Sequence, residues 1–105
     1  MNIFETLPLS LPGELSETVA KSGNVRIERI ISNCHATPEG EWYDQDWDEW
    51  VLLLSGGAGL QVDGEQQPQI LKPGDYIMLP SHCRHRVAWT DPGEPTVWLA
   101  VHIGK

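Results

Sequence analysis

Apolar runs in this chain are short, and almost every one is closed by glycine or proline. Glu49 to Leu54 (E-W-V-L-L-L) ends at Ser55-Gly56-Gly57, Leu60 to Asp63 (L-Q-V-D) runs into Gly64, and Tyr76 to Leu79 (Y-I-M-L) lies between Pro73-Gly74 and Pro80. Punctuation at that spacing leaves no room for a helix of ordinary length, whereas a strand needs only about four to eight residues. Val25 to Ile31 alternates, with Val25, Ile27 and Ile31 on one face and Arg26 and Glu28 on the other. Arg84 to Thr90 alternates as well: His85, Val87 and Trp89 share one face, Arg84 and Arg86 the other. Glu49 to Leu54 is nearly continuous in apolar residues, as a strand buried on both faces would be, and Thr96 to Ile103 reads as the last strand. Lys72-Pro73-Gly74-Asp75 suits a type II turn and Asp63-Gly64 a tight one. Together these predict an all-β sandwich or barrel of roughly eight to ten strands.

Length confines the strands to one domain: 105 residues bury roughly two thirds of their unfolded surface, enough for one modest core. Residues 1 to 23, with Pro8, Pro12, Gly13 and Gly23, read as an N-terminal arm that packs on the barrel or on a neighbouring subunit, and residues 24 to 105 as the barrel. Within the arm only Glu14 to Lys21 has the makings of a helical turn or two. No stretch approaches the ~20 apolar residues of a membrane span. The N-terminus lacks the basic start of a signal peptide and carries Glu5 within its apolar part. Cys34 and Cys83 make no disulfide framework, so both are expected to be reduced and the chain cytoplasmic. Fifteen acidic against seven basic residues give a net charge of −8, which repels phosphate backbones and argues against a nucleic-acid partner.

Six of the acids (Glu39, Glu41, Asp44, Asp46, Asp48 and Glu49) fall within eleven residues. They read as a solvated loop or as a mouth that attracts cations. Trp42, Tyr43, Trp47 and Trp50 are interleaved with them. Rings over a polar floor suit a small-molecule pocket, while Trp47 and Trp50 equally suit a barrel cap or a subunit contact. Neither a phosphate-binding loop of the G-x-x-x-x-G-K form nor a G-x-S-x-G elbow occurs. Gly56-Gly57-Ala58-Gly59 leads into a strand and offers no helix N-terminus to a phosphate.

Two stretches resemble the paired motifs of the cupin superfamily. Gly74, Pro80 and His85 stand where the second motif has its Gly, Pro and His, with His82 in place of that motif's second Gly and Trp89 in place of its Asn. Glu49 and Gly56 match the end of the first motif, whose two histidines are missing here. The resemblance spans roughly residues 24 to 103 and implies a double-stranded β-helix, the jelly-roll barrel also called RmlC-like, assembled as a homodimer around small-molecule pockets. It further implies a divalent metal (Fe, Mn, Ni or Zn) inside the barrel, with Glu49 and His85 at two of the ligand positions. Leaving three residues before Glu49 puts Gln45 and Tyr43 at the missing histidines; leaving four puts Asp44 and Trp42 there. A set of Tyr43, Gln45, Glu49 and His85 is poor for zinc and better suited to Mn, Fe, Ni or Mg, which accept oxygen ligands. The same four residues also read as a metal-free, hydrogen-bonded cluster.

Strand parity places Glu49 with Val51 and Leu53, and His85 with Val87, so both are expected to point inward. A carboxylate among leucines calls for a cation or a proton. His82 reads as an exposed rim residue in the preceding turn. His102 shares a face with Trp98 and Ala100 and points either into the barrel or to a subunit contact. Cys34, beside His35 at the end of the first strand, reads as a small buried hydrophobe or a redox-sensitive thiol at the cavity mouth. Function divides between a metal-dependent oxygenase, isomerase or lyase acting on a small organic molecule and a non-catalytic barrel that binds or senses a sugar or other metabolite.

Overall fold

The computed structural model describes residues 1–7 and 13–104. Its elements are eight strands: β1 (Leu15–Ser22), β2 (Val25–Ser32), β3 (Asp48–Ser55), β4 (Ala58–Val62), β5 (Gln69–Leu71), β6 (Tyr76–Leu79), β7 (His85–Thr90) and β8 (Thr96–Ile103). They form two antiparallel sheets, one in the order β1-β2-β8-β3-β6 and the other β5-β4-β7. This is the all-β architecture that the turn spacing predicts, in the jelly-roll form that the resemblance implies. No helix among the described residues is long and apolar enough to cross a membrane.

Glu14 to Lys21 is not helical. Leu15–Ser22 pairs along its length with β2, Ser22 opposite Val25, through the two-residue turn Gly23-Asn24. Gly23 has φ 56°, the left-handed conformation such hairpin turns require and glycine supplies without steric cost. Pairing with a neighbouring strand overrides the weak helical periodicity of this stretch. The N-terminal residues are tied down too: Arg29, buried on β2, donates to the carbonyls of Ile3 and Glu5 and to the Glu17 carboxylate.

The core lies between the sheets. Val51, Leu53, Ala58, Leu60, Leu71, Leu79, Trp98 and Ala100 form one buried cluster, with Ile77, Cys83 and Val87 packed against it. Alternation on β3 is strict, with Glu49, Val51 and Leu53 inward and buried. The other face, Trp50, Leu52 and Leu54, is only half-buried, so β3 is not enclosed on both sides as its composition suggests. Trp89 also departs from expectation. β7 carries a bulge against β4, Val87 facing Leu60 and Trp89 facing Gly59, so Ala88 is the extra residue and Trp89 leaves the His85–Val87 face. Its ring lies against Gly59, where an added Cβ would meet the indole nitrogen at 2.2 Å.

The turn at Lys72–Asp75 closes as expected, with the Asp75 N–H on the Lys72 carbonyl at 2.9 Å and Gly74 at φ 95°. Cys34 is exposed, with φ 61°, and is not the buried hydrophobe its place at a strand end suggests.

Candidate functional site

Beyond the apolar core the barrel keeps a cavity of about 240 Å³. Ile30, Val51, Leu60, Leu79, Val87 and Trp98 supply its apolar wall, and ionisable side chains from both sheets supply much of the rest. Strand register explains their convergence. Arg26 pairs with His102, and His102 with Glu49, so these three stand in one row across β2, β8 and β3. Glu28 lies two residues further along β2, diagonal to His102. His85 comes from the opposite sheet as the first residue of β7. Glu14 and Ser16 close the side nearest β1.

The segment between β2 and β3 crosses over this cavity without forming a regular strand. Tyr43 and His85 exchange backbone bonds, the Tyr43 N–H to the His85 carbonyl at 2.7 Å and the return bond at 3.1 Å. The Tyr43 ring stacks on the His85 imidazole at 5.5 Å. Gln45 and Trp47 follow at alternate positions and line the cavity with Tyr43, whereas Asp44 points outward to His82. The spacing that puts Gln45 and Tyr43 in the cavity therefore holds, and the Asp44/Trp42 alternative does not. Of the four clustered aromatics, Tyr43 and Trp47 line the cavity. Trp42 lies under the Arg84 guanidinium, and Trp50 pairs with Tyr76 on the outer face.

Each histidine has a defined role. His85 Nδ1 lies 2.8 Å from the Cys83 carbonyl, so it carries the proton and Nε2 presents a lone pair. Burial lowers the pKa of His85 and keeps it neutral, against the smaller opposing pull of that carbonyl. His102 points inward, resolving the two options left by the sequence. The Trp47 indole N–H donates to its Nδ1 at 2.8 Å, and its Nε2–H donates to Glu28 Oε1 at 2.9 Å. Glu28 Oε1 also accepts from Arg26 Nε at 2.9 Å. His82 sits outside at the rim, between Asp44 at 2.8 Å and Asp46 at 3.4 Å.

Glu49 is the anomaly. Only 6 % of its surface is exposed, and its Oε1 has no hydrogen-bond partner. His85 Nε2 lies 3.9 Å from that oxygen. Burial pushes the Glu49 carboxyl above the ordinary carboxylate range. His102 and a hydrogen bond from Gln45 offset part of that, while Glu28 and Glu14 reinforce it. Glu14 is likewise pushed up by burial, with the Ser32 hydroxyl as its hydrogen-bond donor at 3.1 Å.

Tyr43, Gln45, Glu49 and His85 are thus gathered in one cavity. As a metal site the set is incomplete. Glu49 Oε1 and His85 Nε2 are two facing donors, but Gln45 bonds Glu49 and the Tyr43 hydroxyl bonds Thr37. His102 has both ring nitrogens engaged, and no group of three His, Cys, Asp or Glu among the described residues is placed to hold an ion. Glu14, Arg26, Glu28 and Trp98 are site residues that sequence reasoning does not single out. The available signal is the regular placement of Arg26 and Glu28 together on one face of β2.

Residues 35–102 match the cupin domain family model. A crystal structure from Ralstonia eutropha JMP134, bearing the provisional name mannose-6-phosphate isomerase, is 50% identical and superimposes with a TM-score of 0.96 over 100% of this chain and 97% of its own. A cupin superfamily protein from Desulfitobacterium hafniense DCB-2 is 21% identical, TM-score 0.75, over 94% of this chain and 84% of its own. The polyketide cyclase RemF from Streptomyces resistomycificus is 18% identical, TM-score 0.75, over 90% and 67%; these two share the fold. No curated protein matches the chain. With Glu49 and His85 brought together from two sheets of a jelly roll, and with the family model spanning both, the chain belongs to the cupin domain family.

Proposed function

We propose that this cupin acts on a small organic molecule by moving protons within the barrel cavity, as an isomerase. The observation that carries the reading is the buried pair itself: Glu49 Oε1, without a partner, faces the lone pair of a neutral His85 at 3.9 Å. A carboxylate pushed up by burial is a stronger base than an exposed one, and a neutral imidazole takes and returns protons near neutrality. In a 2-hydroxy carbonyl compound, Glu49 takes the proton from the hydroxyl-bearing carbon while His85 Nε2 accepts the hydroxyl proton. His85 then delivers its proton to the former carbonyl oxygen, and Glu49 returns its own to the neighbouring carbon. Both residues end as they began, and the carbonyl has moved by one carbon. Tyr43 and Trp47 cover the molecule meanwhile. The Ralstonia relative bears an isomerase's name, which is in keeping with this class.

A divalent ion, if bound, would be held by Glu49 Oε1 and His85 Nε2. Two protein donors fall short of the three typical of catalytic metal sites. Elemental analysis of the wild type and of His85→Ala tests that point separately.

The reading is tested by incubating the protein in D₂O with two- to four-carbon 2-hydroxy aldehydes and ketones and following carbon-bound protons by NMR. Exchange and interconversion that disappear in Glu49→Gln and His85→Asn are expected. Binding without exchange would leave the alternative, a non-catalytic cupin in which the Tyr43 and Trp47 rings hold a metabolite.

A further inference from the structure

The charges and donors around the cavity are unequally shared. Three carboxylates line it, Glu14, Glu28 and Glu49, against one cationic side chain, Arg26. Arg26 commits its Nε to Glu28 Oε1 at 2.9 Å, and the ring proton of His102 goes to the same oxygen. Glu28 is therefore compensated. Glu14, which is exposed, accepts from the neutral Ser32 hydroxyl, and Glu49 Oε1 has nothing although its residue is 6 % exposed. The group facing that oxygen, His85 Nε2, is a second acceptor.

We infer that the cavity selects small molecules carrying a positive, hydrogen-rich group such as a primary ammonium, over neutral or anionic ones of the same size. An ammonium brings three donors and no acceptor. A carboxylate or phosphate brings only acceptors and would face Glu49 Oε1 and His85 Nε2 with no proton between them. Rings complete the fit, because Tyr43, Trp47 and Trp98 line the same cavity and aromatic faces attract cations. The exposed acids Glu39, Glu41, Asp44 and Asp46 on the crossing segment extend the same field outside. A sugar phosphate dianion, the substrate implied by the Ralstonia relative's name, is the wrong sign for this cavity. The inference rests on the reading of the cavity as a ligand site and adds the class of ligand.

Propylamine, 1-propanol and propionate share size and differ in charge, and mannose 6-phosphate supplies a dianion. Each is titrated into ¹⁵N-labelled protein while the indole N–H resonances of Trp47 and Trp98 are followed. Propylamine is expected to bind at least about tenfold more tightly than propanol, the scale of one charge-assisted hydrogen bond, with propionate and mannose 6-phosphate weaker than propanol. Glu14→Gln and Glu49→Gln should each reduce that preference about threefold or more, and the unlabelled fold can be checked by circular dichroism in both. Equal affinity for propylamine and propanol, or tighter binding of either anion, overturns the charge selection while leaving a ligand cavity in place. No movement of either indole with any compound removes the ligand cavity itself.

Discussion

A buried acceptor left without a donor costs about 1–3 kcal/mol, and Glu49 Oε1 bears that cost where the proposed chemistry needs it. Replacing Glu49 by Gln supplies an amide N–H toward the His85 lone pair and removes a charge that burial opposes. Glu49→Gln should therefore stabilise the fold by about 1 kcal/mol at neutral pH, read from thermal or urea unfolding, while abolishing proton transfer. The sign with pH follows from the direction of the shift. Glu49 is raised above its ordinary value of 4.5, so the folded state binds the proton more readily than the unfolded one. Its contribution is most favourable at or below that value and is lost as pH rises through the folded value. The advantage of Glu49→Gln should thus grow from about pH 4.5 upward and then level off. His85 works the other way. Its pKa is lowered from 6.5, so its contribution is complete above that pH and is lost as pH falls below it. Trp47→Phe keeps the ring but withdraws the donor from His102 Nδ1. About 1–2 kcal/mol of stability should be lost in urea unfolding, together with tightness of ligand binding.

At the scale of elements, turns and registers decide where those residues go. Gly56, between β3 and β4, has φ 79°, and a Cβ there would lie 2.7 Å from the Thr96 Cα and 2.8 Å from the Pro95 carbonyl. Both obstacles are backbone. Gly56→Ala should cost roughly 2–4 kcal/mol, the sum of left-handed strain and overpacking. Gly64, with φ 94° and nothing within 4 Å of an added Cβ, should cost only about 1 kcal/mol on the same change; paired urea titrations separate the two. The strand pattern also shows what could be read in advance. Parity correctly turned Glu49 and His85 inward, because each shares its strand face with aliphatic residues. It divided β2 correctly into Val25/Ile27/Ile31 and Arg26/Glu28 without saying which of the two faces lies inside. The interior beside β2 is a polar cavity, and the outer face is covered at Ile31 and Arg29. Alternation identifies two faces but not which one meets the inside when the inside is itself charged. The β7 bulge escaped notice for a related reason: an extra residue is set by the partner strand, not by the residues that carry it.

Taken whole, the barrel is held shut by contacts far apart in sequence. Arg29 gathers Glu17 and the carbonyls of Ile3 and Glu5 around one buried guanidinium. Arg29→Ala leaves those acceptors without their donor and should cost about 3 kcal/mol, visible as a lower urea midpoint. The segment over the cavity is secured in the same manner. Thr37 and Val87 bond each other, Tyr43 and His85 do so in both directions, and the His82 N–H reaches the Gln45 carbonyl. A stretch that looks like a loop therefore shares the fate of β7. Its amides at Thr37 and Tyr43 should exchange with deuterium as slowly as those of the strand, while Glu39 and Gly40, in the exposed turn between them, exchange within the dead time. Slow exchange at the Thr37 and Tyr43 amides would mean that this covering stays in place on the timescale of turnover. Small molecules would then pass in and out beside a standing wall, and only those slim enough to do so would be served.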